Sequence, residues 1–304
     1  MTDANPFKGC WDRFDRAVTH RDAAMKVWSD FLGNEDAYEI ALQMDPEREG
    51  VGRGTLRVWP SLEMPTSELA ILFGEYFYNL RAALDYAVYA TAIVDNGWQD
   101  PPPGEHVLQF PICDTPESWR KNAYHVRPLT ERHRGWIKSV QPYQGTNDPT
   151  ERGIYWLNHL ARLDRHRALR VVGAYVSESS PVVELSAPAI VEFDEPRGDI
   201  FVDSDDGAVI AGFTITPWKV GDDVKANPYT ALDIELKDFA MGRPTGKTWL
   251  RMPMTTRLFL IESVIHSEVG RLEFDCIHQT RAKYLDKDWI GFKDPSVNVV
   301  SPDP

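Results

Sequence analysis

A chain of 304 residues has the length of about two average domains, and 42% hydrophobic with 26% charged residues is the balance of a globular protein rather than a disordered one. The net charge of −13, with a pI near 5.1, disfavours long-range attraction to nucleic acid or to an anionic membrane, so an anionic partner has to find a local patch. Three scattered cysteines, Cys10, Cys113 and Cys276, exclude a disulfide framework and a CxxC metal knuckle and point to a reducing compartment.

The start, MTDANPFKGC, has no basic region followed by an apolar run, so no signal peptide is expected. The most apolar stretch, LAILFGEYFYNL, contains Glu75 and Asn79 and is shorter than the ~20 residues of a membrane span, so the expected location is the cytoplasm. Trp11, Phe14, Val18, Met25, Trp28 and Leu32 form one apolar stripe of a first helix that ends at Gly33-Asn34. YEIALQM (38–44) and GTLRVW (54–59) alternate as strands and predict a hairpin. Pro65-Thr66-Ser67 opens a long second helix on which Leu69, Phe73, Phe77, Leu80, Leu84 and Val88 repeat at the helical period. The first helix is expected to pack on it.

From Asp100 the run DPPPGEHVLQFPICDTPESW cannot be regular, because three consecutive prolines remove backbone donors. Shorter helices are expected around 116–122, 130–139 and 150–168. After Arg170 the texture turns to β: RVVGAYV, PVVELS, AIVEFD, DIFVDS, AVIAGFTIT and ALDIELKDF predict five or six strands of a largely antiparallel sheet that includes the early hairpin. A last helix from about Thr255, with Leu258, Ile261, Ile265, Val269 and Leu272 on one face, is expected to cover that sheet. The fold class is therefore α+β, with a mainly helical part over 1–170 (hairpin at 38–59) and an antiparallel sheet plus C-terminal helix over 171–304, or one compact unit.

Three apparent motifs carry no chemistry. GRPTGKT (242–248) has Met241 where a phosphate loop needs its first glycine, and DSDDG (203–207) places glycine fifth where a calcium loop wants it sixth and reads as a hairpin turn. Cys276 with His278, and Glu262 with His266, lack the three or four convergent donors of a zinc site. No metal or cofactor is expected.

Two apolar helices carry charged centres. In NLRAALDYAVYA, Arg81 and Asp85 lie four apart and share a face; in LARLDRHRALR, Asp164 falls on or beside the face of Leu157, Ala161 and Ala168. A buried carboxylate needs a cation, which makes Arg81 the expected partner of Asp164, with Asn158, Arg162, His166 and Arg167 projecting nearby. Between Ser118 and Arg170 eleven Lys or Arg face four acids, a balance of +7, so the rest of the chain carries −20. This stretch also holds His125, His133, His159 and His166, and its Trp119, Tyr124, Trp136, Tyr155 and Trp156 could stack bases beside bound phosphate. The bland alternative is a set of solvated helix faces with cations at a helix C-terminus.

NLRAALDY, FPICDTP, WLNHLARLDRHR and NPYTALDIELKD together resemble an uncharacterised family of bacterial proteins with NLRSALDH and LNxIDKHR in the corresponding places, over roughly residues 10 to 280. That resemblance implies a shared fold and brings no activity. The helical part is more remotely similar to HEPN-type domains, many of which are ribonucleases with an arginine followed after four to six residues by a histidine. Here Tyr86 stands at the histidine position after Arg81, and a phenol is a poor base at neutral pH. The leading expectation is a noncatalytic binding protein with an anion-accepting pocket around Arg81, Asp85, Asn158, Asp164, His166 and Arg167, its ligand a small anion or RNA. The alternatives are a HEPN-like ribonuclease using His166 or His159 with Arg81 or Arg167, and a purely structural or oligomerising protein.

Overall fold

The structure is a computed structural model that describes residues 5–34, 36–45, 50–145, 148–175, 182–185, 188–194, 201–202, 208–227, 232–240 and 252–281. The GRPTGKT and DSDDG stretches lie outside the described residues. Seven helices are described: α1 (Lys8–Leu32), α2 (Thr66–Asp95), α3 (Pro116–Asn122), α4 (Glu131–Ser139), α5 (Gly153–Asp164), the short α6 (Lys237–Ala240) and α7 (Met254–Arg281). The strands are β1 (Tyr38–Met44), β2 (Gly50–Pro60), β3 (Val171–Tyr175), β4 (Val182–Leu185), β5 (Ile190–Phe193), β6 (Phe201–Val202), β7 (Ala208–Trp218), β8 (Val224–Asn227) and β9 (Leu232–Leu236). The protein is α+β, as its sequence texture implies. No described helix is long and apolar enough to cross a membrane.

Helix α2 is the spine, buried along most of its length, and α1 runs antiparallel to it, with Gly9 against the Tyr86 ring and Arg13 bonded to Asn79. The α1 face that is fully buried is set by Cys10, Ala17, Ala24 and Trp28, so small residues at a seven-residue spacing let the backbones approach. Of the expected stripe, Trp28 lies in that seam, whereas Trp11, Phe14 and Met25 are partly buried beside it. Helix α7 buries Met254, Leu258, Ile261, Ile265, Val269, Leu272 and Cys276, the stripe its period predicts. Its position differs from the expected one. It packs chiefly on α2 and α5, where Tyr76 Oη donates to Leu258 O at 3.1 Å, and among the described strands it meets chiefly β9.

All described strand pairings are antiparallel, but they divide into three ladders: β1-β2-β7-β5, β6-β3-β9 and β4-β8. The early hairpin therefore joins the later strands, through β2 and β7. Gly54 makes that pairing close: a Cβ there would stand 2.5 Å from the Phe213 ring. Strand β8 was not expected, because VKAN has only one large apolar residue and becomes a strand by pairing with β4. The expected strand through residue 239 stops at Leu236, where Lys237–Ala240 coil into α6. Helix α5 is also shorter than expected, ending at Asp164 so that Leu169 and Val171 can bury.

Candidate functional site

The charged centre of α2 serves the irregular segment that follows it. Arg81 Nη1 donates to Asp85 Oδ1 at 2.8 Å, Arg81 Nη2 donates to Phe110 O at 2.6 Å, and Phe110 N donates to Asp85 Oδ1 at 2.8 Å. The pair thus satisfies both backbone groups of Phe110, whose segment has no strand partner to do so. Gln141 does the same one step on, accepting from Cys113 N and donating to Pro111 O. Burial pushes Arg81 down from its ordinary pKa and Asp85 up, and each opposes the shift of the other. Arg81 is 7% exposed, so this is a closed clamp rather than an open pocket.

Asp164 does not meet Arg81. Its carboxylate lies on Gly74, two helical turns earlier on α2, so close that a Cβ at position 74 would clash with it. Burial and then the nearby Glu75 raise its pKa, and among the described residues it forms no ion pair. The expectation fails because Arg81 is already held by a carboxylate on its own helix and by a carbonyl, and α5 reaches α2 at the glycine. Gly74→Ala is expected to cost about 1–3 kcal/mol by overpacking, and Asp164→Ala, which orphans no cation, under about 1 kcal/mol. Combined in one chain, the second change should recover most of the loss. Additive effects in urea denaturation would refute the contact.

The other expected site residues divide between further settings. Arg167 pairs with Asp238, which also accepts from Arg170 N at 2.8 Å. Asn158 is half-buried and His166 exposed on the surface beyond α5. His159 stacks on Tyr155 at 6.0 Å, and burial followed by Arg162 lowers its pKa. Tyr86 sits under Arg13, 5.4 Å from guanidinium carbon to ring centre, on the side of α2 away from the Phe110 clamp. Of the dismissed metal pairs, Glu262 is bound by Arg21, and His266 lies against the Trp11 and Phe14 rings.

The arrangement with most chemical content lies between α4 and α7. Thr130 caps α4 through His133 N, and the first turn carries Arg132 and His133. His133 Nδ1 lies 2.9 Å from both oxygens of Asp95 at the end of α2, and its Nε2 lies 3.0 Å from Asp275 Oδ2 on α7. Two carboxylates on the two ring nitrogens require the imidazolium, since a neutral ring has only one N–H. Burial works against that charge, but the hydrogen bonds to Asp95 and to Cys276 prevail and carry the pKa from 6.5 up to about 10. Arg132 holds the other oxygen of Asp275.

Beside this bridge opens a pocket of about 490 Å³, walled by Arg132, Trp136, Arg271, Leu272, Phe274 and Asp275. The guanidinium of Arg271 covers the Trp136 indole at 3.7 Å, and Trp136 Nε1 donates to Glu268 Oε2 at 3.1 Å. Arg132, His133 and Trp136 belong to the basic, aromatic stretch singled out in the sequence. Arg271, Phe274 and Asp275 escape a reading by motif, since they share only the solvent side of α7; their i, i+3 and i, i+4 spacing is a signal that any amphipathic helix shows. Comparison of the chain with family models gives no match, and comparison with curated proteins and with solved structures gives none either.

Proposed function

We propose that the protein is a noncatalytic binding protein that accepts a small anionic ligand in the pocket between α4 and α7. The observation that carries this reading is the lining: Arg132 and Arg271 bring guanidinium donors to it, and its one carboxylate, Asp275, has its two oxygens held by Arg132 and by His133, whose charge is shared with Asp95. A pocket of this size suits a small molecule, and the anion would be met by guanidinium donors in a chain that elsewhere repels it. The imidazole in the pocket favours binding over catalysis, because a ring with both nitrogens committed and a pKa near 10 is neither a base nor a ready acid at neutral pH. The three cysteines, all buried and none in a disulfide, fit a cytoplasmic home.

A HEPN-like ribonuclease is the second reading, and one observation favours it. His159 is kept neutral by burial and lies within electrostatic reach of Arg167 and Asp238. Both readings meet in one set of measurements. Calorimetric titration with inorganic phosphate at low salt should show saturable binding, weakened roughly tenfold or more when Arg132→Gln and Arg271→Gln are combined. Phosphate binding that the double variant leaves unchanged would overturn the pocket. Incubation with single-stranded RNA should give no cleavage; cleavage abolished by His159→Ala in a folded protein would install the second reading instead.

A further inference from the structure

Helix α2, the spine of the fold, leaves one stripe of its surface to solvent. Ile71, Tyr78 and Tyr86 are 68%, 52% and 43% exposed, and with Glu75 and Ala82 they recur every three or four residues, so all five share one face. Single exposed apolar residues are ordinary, but a row of them with two tyrosines has the composition of an interface. Helix α1 borders the stripe on the side of Asn79 and Tyr86, and α5 borders it on the side of Gly74.

The charges beside this stripe are sorted by height along α2. At the level of residues 74–75 stand two acids, close enough that Glu75 adds to the upward shift that burial gives the Asp164 pKa, and among the described residues neither has an ion pair. One to two turns on stand two cations. Arg13, on the α1 side, donates to Asn79 Oδ1 at 3.1 Å and to Tyr86 Oη at 3.3 Å, both uncharged groups. Arg165, on the α5 side, donates to Ala161 O at 3.3 Å and lies within electrostatic reach of Asp85, whose charge Arg81 already meets.

We infer that this stripe is the two-fold interface of a homodimer, in which α2 packs antiparallel on the partner's α2 about Tyr78 and Ala82. The reversal sets Glu75 opposite the partner's Arg13 and Asp164 opposite the partner's Arg165, and the two-fold repeats both pairs. A second copy fits better than a different protein because the face is complementary to itself. A partner patch of a single sign would meet its own sign at one end. The tyrosines and Ile71 supply the apolar area that closes over in the dimer.

Sedimentation equilibrium on the full chain tests this at physiological salt, where a screening length of about 8 Å removes most of the long-range repulsion between two acidic chains. At high micromolar concentration the species should have twice the mass of the 34.6 kDa chain. Tyr78→Asp, at an exposed position, should weaken the dimer roughly tenfold or more with the circular dichroism of a folded protein. Glu75→Arg and Arg13→Glu should each be monomeric, because each sets like charges opposite one another. Their equimolar mixture should recover the dimer, since each chain offers the charge the other lacks. Should Arg13→Glu unfold through its lost bonds to Asn79 and Tyr86, mixing Tyr78→Asp with Tyr78→Lys makes the same comparison at one exposed position. A wild type that stays monomeric overturns the inference, as does a dimer that Tyr78→Asp leaves unchanged. Folded variants whose mixture stays monomeric overturn it too.

Discussion

Replacing His133 by alanine is expected to destabilise the protein by on the order of 3–5 kcal/mol, because it leaves two carboxylates facing each other across an emptied, buried site. His133 and Asp95 have side chains only 7% and 6% exposed, and the ring joins the end of α2, the start of α4 and the last part of α7. The pH dependence has a definite sign. The folded pKa of about 10 lies above the ordinary 6.5, so the stabilisation from the charged ring is complete below pH 6.5 and is lost as pH rises towards 10. Urea denaturation of the wild type should therefore show falling stability across that window, and the His133→Ala profile should lose that component. A wild type with the same stability at pH 6 and pH 10, or a variant that keeps the slope, would show that His133 is not held as an imidazolium.

The second large effect is expected at the junction of β9 and α7. Arg257 is 1% exposed, its Nη2 bonds to Glu235, and its guanidinium carbon lies 4.7 Å from the centre of the Phe239 ring. Among the described residues, its Nε and Nη1 are buried without a hydrogen-bond partner. Glu235→Ala removes the one counterion that the described residues give this under-satisfied cation, and should cost about 3–5 kcal/mol, a large part of the stability of an ordinary domain. Arg257→Met should be far milder, within about 1 kcal/mol of wild type or more stable, because it removes the cation together with its unmet donors and keeps most of its volume over Phe239. Guanidinium denaturation of the two variants checks the order. If Arg257→Met proves as damaging as Glu235→Ala, the arginine is making interactions beyond Glu235 and Phe239.

What could be read in the sequence is what the chain writes locally. Leu258, Ile261, Ile265, Val269 and Leu272 are all buried because a helical period selects one face whatever covers it. The hairpin at 38–60 pairs Tyr38 with Pro60 and Met44 with Gly54, as alternation on both sides of a turn requires. The shared face of Arg81 and Asp85 was also legible from their four-residue spacing, whereas the cation expected for Asp164 is not there among the described residues. The extent of α5 was not, because no glycine or proline marks its end at Asp164.

The partners of the charges were decided elsewhere. Arg81 chose the carbonyl of Phe110 over Asp164, and His133 lies 38 residues from Asp95 and 142 from Asp275. Periodicity states which side of a helix is apolar, but says nothing of which helix lies opposite or at what height. Gly74 let α5 approach α2 where Asp164 could fit, and the small residues Cys10, Ala17 and Ala24 set how closely α1 lies. The sequence alone determined the long helices, the early hairpin, the buried face of α7 and the basic, aromatic character of 118–170, because these follow from interactions between near neighbours in the chain. Only the tertiary structure brought Arg132 and His133 to Arg271, Phe274 and Asp275, because a pocket forms where elements distant in sequence are packed together, and side-chain shape at each contact sets that packing.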